Sequence, residues 1–116
     1  MQLLVLILSK TELMPQIVSR IVSCGCGDPT VIDCEGALRV IDESEVEPPP
    51  IFGSLRYILH KGTRESKMML TVMRDEDVPD AADVINEVTG GIDRPNTGIF
   101  FTIPISAAYG LRGWNQ

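Results

Sequence analysis

The segment Gln2-Leu3-Leu4-Val5-Leu6-Ile7-Leu8 is apolar at every position after the first, the pattern of a strand covered on both faces. It ends at Ser9-Lys10. Ser9 and Glu12 have capping-box spacing, and Leu13, Met14, Ile17, Val18, Ile21 and Val22 recur at helical intervals. Pro15 fits only a first turn, so this helix is expected to start near Thr11, and Cys24-Gly25-Cys26-Gly27 stops it. A second strand is expected within residues 30–40, centred on Thr30-Val31-Ile32-Asp33-Cys34-Glu35, with Gly36 marking a bulge or a close backbone approach. The acidic, proline-rich run over residues 41–50 can be neither helix nor central strand. A short amphipathic helix follows it, with Phe52, Leu55, Ile58 and Leu59 on one side.

Residues 66–74 predict a third strand, built on Met68, Met69, Leu70, Thr71, Val72 and Met73. Asp75 is expected to cap a second long helix whose apolar stripe is Val78, Ala81, Ala82, Ile85 and Val88, with Pro79 in its first turn. Asp75, Glu76, Asp77 and Asp80 favour that end electrostatically. Gly90-Gly91 stops the helix, and the turn over residues 93–98 leads into a fourth strand at residues 99–105.

The order is β-α-β-β-α-β, which predicts an α+β, ferredoxin-like fold. By the right-handed crossover rule, both helices fall on one face of a four-stranded antiparallel sheet. The opposite face is then bare in a monomer. The first and fourth strands nevertheless do not alternate apolar with polar, as strands with one wet face do. Copies of the chain are therefore expected to cover that face; the plain alternative is that these strands are simply rich in β-formers.

Composition narrows the function. The 116 residues suit one domain, 44% are hydrophobic and 22% charged, and the net charge is −6. Such a surface cannot displace counterions from a phosphate backbone, which argues against nucleic acid as partner. The apolar start lacks the basic flank, length and cleavage site of an export signal. It is also far short of the roughly 20 residues that cross a bilayer, so a cytoplasmic location without membrane insertion is expected. Three cysteines, Cys24, Cys26 and Cys34, in such a chain point to reduced thiols. The other readings are a soft-metal cluster completed by His60 and a redox pair. His60 is the single histidine, and no serine sits in a nucleophile-type glycine turn. No enzyme activity is expected.

Several segments in order are similar to the nitrogen regulatory P-II family of signalling proteins and its P-II-like relatives. Leu3-Leu4-Val5-Leu6-Ile7-Leu8-Ser9-Lys10 resembles the family's first strand and its exit. Gly27-Asp28-Pro29-Thr30-Val31 resembles the opening of its second strand, and Val72-Met73-Arg74-Asp75-Glu76-Asp77-Val78 its strand-to-helix junction. Thr97-Gly98-Ile99-Phe100-Phe101-Thr102-Ile103-Pro104-Ile105 looks like its last strand. The resemblance spans residues 1–116 as a single P-II-like domain and is weakest over residues 41–64. It implies a homotrimer in which adenine nucleotides (ATP, ADP or AMP) or another small molecule occupy clefts between subunits. A loop between the second and third strands, here residues 41–64, would contact a regulated partner protein.

Carried over residue by residue, Thr30 matches a threonine near the adenine and Gly36 a glycine at the root of the partner loop. Gly98 matches the last glycine of a phosphate-facing turn, and Arg112 the second of two phosphate-reaching arginines. Arg94, in the turn over residues 90–98, adds a charge that could meet an anion; otherwise that turn is a plain helix-to-strand loop. The family's lysine after the glycine is Ile99 here, and its first arginine is Gly110. Two expected positive charges are thus missing, and a less charged ligand becomes as plausible as a triphosphate. Asp42, Glu43, Glu45, Glu47 and Tyr57 belong to the partner loop, where the acidic run suits a basic partner or a cation and is otherwise a solvated arm. CutA proteins share the fold and have been linked to metals, so a metal-handling or structural trimer of that type is the alternative.

Overall fold

A computed structural model describes residues 1–37, 40 and 65–111. The strands are β1 (Gln2–Leu8), β2 (Thr30–Glu35), β3 (Glu65–Met73) and β4 (Gly98–Pro104), and the helices are α1 (Met14–Ser23) and α2 (Val78–Thr89). The sheet order is β2-β3-β1-β4 and every neighbouring pair is antiparallel. β1 and β2 are consequently parallel across β3, and β3 and β4 parallel across β1. These two interleaved crossovers make the expected ferredoxin-like arrangement.

The register divides the sheet into two unlike faces. Leu4, Leu6 and Leu8 of β1 stand beside Thr71, Met69 and Lys67 of β3. The three leucines and Met69 are fully buried beneath Met14, Ile17 and Ile21 of α1 and Ala81, Val84 and Ile85 of α2. One core cluster holds residues of both helices, so both helices lie on this face. Burying each such side chain stabilises the fold by about 1.5–3 kcal/mol. An Arg20–Glu87 ion pair at 2.5 Å ties α1 to α2 at the surface; exposed pairs of this kind contribute about 1 kcal/mol or less.

The second face carries Leu3, Val5 and Ile7 of β1, flanked by Val72, Leu70 and Met68 of β3 and by Ile103, Phe101 and Ile99 of β4. β2 adds Thr30, Ile32 and Cys34. Ile32, Ile99, Phe101 and Ile103 are between 41% and 56% exposed. The lack of alternation in β1 thus has a structural cause: its leucines meet the helices, and its other apolar residues join a continuous apolar face, whereas β4 sends only Phe100 to the core.

Several element ends differ from expectation. The chain enters α1 through a 3-10 turn, Thr11–Leu13, without a side-chain cap, and the Ser9 amide donates to Thr97 O at 2.8 Å. β1 thus hands the chain to this turn while still bonded to the segment before β4, and the first helical residues follow Lys10 instead of Ser9. A second 3-10 turn, Asp75–Asp77, precedes α2, and Asp75 does not cap it. The Asp75 carboxylate instead accepts from the Met1 ammonium at 2.6 Å. That bond, with a further one from Gln2, holds its carboxyl below the usual range. β2 stops at Glu35, and Gly36 makes no bulge: its carbonyl accepts from the Val40 amide at 3.2 Å, the spacing of a helical turn.

Thr71 sits on the helix-facing side, 1% exposed, and its Oγ1 has no partner among the described residues. A buried, unpaired hydroxyl destabilises by about 1–3 kcal/mol. Thr71→Val keeps the shape and removes the orphan, so it is expected to raise stability by about 1 kcal/mol. Urea unfolding checks this as a higher midpoint at unchanged m-value.

Candidate functional site

The end of α1 builds one wall of a cleft beside the sheet. Gly25 takes a left-handed conformation (φ 73°), its amide donates to Val22 O at 3.1 Å, and the Cys26 amide donates to Ile21 O at 3.2 Å. This is a Schellman end, in which the residue after the glycine turns back onto the helix. Cys26 is accordingly driven into the core, 2% exposed, while Cys24 stays at the surface. Gly27 then lies directly against the methyl of Thr71, which brings Asp28 and Pro29 across the end of β3 and delivers Thr30 to the sheet.

Between this loop and the sheet is a cavity of about 630 Å³, within the size range of small-molecule sites. Leu3, Leu70 and Val72 form its floor and Leu111 another apolar side. Polar groups come from Thr30, Asp28, Arg74 and Asp77. The floor residues and Thr30 all belong to the face of the sheet opposite the helices, so the cleft is continuous with that face. Among the described residues, one arginine against two aspartates gives this cleft no excess of positive charge to offset a triphosphate.

The expected ligand residues that lie within the described chain, Thr30, Gly36, Arg94 and Gly98, do not converge on one another. Thr30 is in the cleft. Gly36 follows the far end of β2, and Gly98 opens β4 on the opposite edge of the sheet. The register puts Gly98 level with Leu8, Lys67 and Asp33, three residues along from Thr30 and three strands away. At strand spacings of about 4.8 Å and rises of about 3.3 Å, this separation is roughly 17 Å. The Arg94 guanidinium folds onto Gly90 at the C-terminus of α2, its Cζ 3.2 Å from where a Cβ would stand, a place where the helix dipole favours a cation. In the same loop, the Gly91 amide donates to Thr89 Oγ1 (3.2 Å), that of Ile92 to Asn86 Oδ1 (3.0 Å) and that of Arg94 to Gly91 O (3.1 Å). An anion bound there would therefore rely on the remaining amides and the guanidinium. Arg112, His60 and the partner-loop residues Asp42, Glu43, Glu45, Glu47 and Tyr57 lie outside the described residues, as do the amphipathic segment and the whole loop at 41–64.

The cysteines depart from both main expectations. Cys24 and Cys26 are joined as a disulfide, with Cα atoms 5.5 Å apart, because the left-handed Gly25 folds the two side chains to one side. Cys34 is free and half-buried beside Ser66 on the other face of the sheet. The three sulfurs do not cluster, and among the described residues no group of three histidine, cysteine or acidic side chains is placed to hold a metal ion.

Arg74, Asp77 and Leu70 were not singled out as site residues from the pattern along the chain. The available signal was the Cys-Gly-Cys-Gly stop itself, since a chain reversing at a helix end and re-entering at a strand edge leaves space beneath it. Among the described residues, no helix is long and apolar enough to cross a membrane. No family model matches the chain, and no curated protein matches it significantly.

Proposed function

We propose that the chain is a P-II-like regulatory protein that assembles as a homotrimer through the uncovered face of its sheet and senses a small ligand in the clefts between subunits. The supporting observation is that the face opposite the helices carries apolar side chains from all four strands and runs directly into the 630 Å³ cleft beside Thr30. Contiguous apolar patches of this kind are rare on monomers and mark contact surfaces. A second copy seated there closes the open side of the cleft. The separation of Thr30 from Gly36, Arg94 and Gly98 also favours a shared site, in which one subunit supplies the first and its neighbour the others. The ligand is an adenine nucleotide or a less charged molecule, and the loop at 41–64 passes the signal to a regulated protein. Ligand contacts that differ between two arrangements of that loop would supply the switch.

Scattering-detected size exclusion and a thermal-shift series with ATP, ADP and AMP test the two halves separately. The expected mass is three times 12.7 kDa. A ligand at about 100 times its Kd stabilises by about 2.7 kcal/mol, a rise of several degrees. A trimer with no shift at millimolar nucleotide would remove the nucleotide and keep the assembly; a monomer would remove both. A CutA-like structural trimer would use the same face, and stoichiometric zinc or copper in protein purified without added metal would favour its metal-handling form.

A further inference from the structure

The Cys24–Cys26 pair has features that the sensing role does not use. It closes a loop of only three residues, the short extreme at which a cross-link removes little entropy from the unfolded chain. The Schellman amides already fix the helix end beside it. The bond is therefore poorly suited to serve as a structural staple. Its two sulfurs are also unequal: Cys24 is exposed, whereas Cys26 is buried in the core and forms part of the cleft wall with Gly25 and Gly27.

We propose that Cys24 and Cys26 form a thiol–disulfide exchange site whose substrate is an external low-molecular-weight thiol, with Cys24 as the sulfur attacked. The incoming thiolate bonds to Cys24 Sγ, and the Cys24–Cys26 bond breaks. Cys26 Sγ leaves as a thiolate and takes up the proton that the attacking thiol released. A second external thiol attacks the sulfur bound to Cys24, forming the external disulfide and leaving Cys24 as a thiol. Two external thiols are oxidised as one protein disulfide is reduced, so electrons and protons balance. Attack is directed by access, and access belongs to Cys24. Since Cys26 stands in the cleft wall, the state of the pair sets the shape of that wall.

Equilibrating the full chain in reduced and oxidised glutathione, then alkylating and mapping by mass, tests the assignment. Cys24 and Cys26 are expected to convert together as a two-electron couple, while Cys34 takes up alkylating reagent at every ratio. An acid-quenched reaction is expected to hold its mixed disulfide on Cys24. Cys26→Ser should acquire glutathione at least tenfold faster than Cys24→Ser, with circular dichroism confirming that both variants fold. Should either fail to fold, the quenched wild-type map decides the site of attack. Independent titration of the two cysteines, absence of an internal disulfide at every ratio, or a mixed disulfide on Cys26 would overturn the proposal.

Discussion

Replacing Phe101 with aspartate is expected to turn the proposed trimer into folded monomers of 12.7 kDa. Phe101 lies on the face opposite the helices beside Val5 of β1 and is 41% exposed in the single chain. A carboxylate there meets water in the monomer and apolar side chains in the assembly. Leaving one buried without a partner opposes association by about 4 kcal/mol or more, roughly a thousandfold, and a symmetric trimer repeats the penalty at every seam. Val22→Asp is the matched control, since Val22 is a 53% exposed residue of α1, on the helix side. It should keep the full mass. Scattering supplies the mass and circular dichroism the fold; a Phe101→Asp protein that remains trimeric would place the interface elsewhere.

Gly98→Ala is expected to destabilise each chain by about 3 kcal/mol, through overpacking and backbone strain. A Cβ at Gly98 would collide with the carbonyl oxygen of Ile7 and stand 3.1 Å from Leu8 Cα. Both are backbone atoms of the central strand, so no rotamer change relieves them. The backbone is also at φ 150°, a conformation that residues with side chains rarely adopt. Gly25→Ala is the contrast: its φ is 73°, but nothing lies within 4 Å of a Cβ, so only conformational strain of about 1–2 kcal/mol applies. Urea unfolding of the two variants compares them directly, and a loss below about 0.5 kcal/mol for Gly98→Ala would mean that β1 and β4 can separate at that point.

The element order, the strand positions and the placement of both helices were legible along the chain because they depend on periodicity, and the leucines of β1 and the stripes of α1 and α2 keep their periods cleanly. The second apolar set, running through Leu3, Val5, Ile7, Phe101 and Ile103, was legible as a violation of alternation. The helix starts were less so: Ser9 and Asp75 have capping chemistry, but the Ser9 amide is held by the segment before β4 and the Asp75 carboxylate by the chain's own ammonium. These partners are 88 and 74 residues away in the chain, beyond any local pattern. The cleft was half legible. Thr30 emerged from the family likeness, whereas Arg74 and Asp77 reach it only through the path of the Cys26–Asp28 loop. Reduced cysteines were the reasonable expectation from composition, and the left-handed Gly25 overrides it locally.

The space at Gly98 also fixes alignment. Sliding β4 by one residue against β1 would bring Thr97 or Ile99 to the position facing the Ile7 carbonyl, and neither can occupy it. The same slip would turn Phe100, Thr102 and Pro104 outward in place of Ile99, Phe101 and Ile103, reversing which side of the strand is greasy. One missing methyl group thus acts as a gauge, so that only a correctly threaded edge strand presents its apolar side away from the helices.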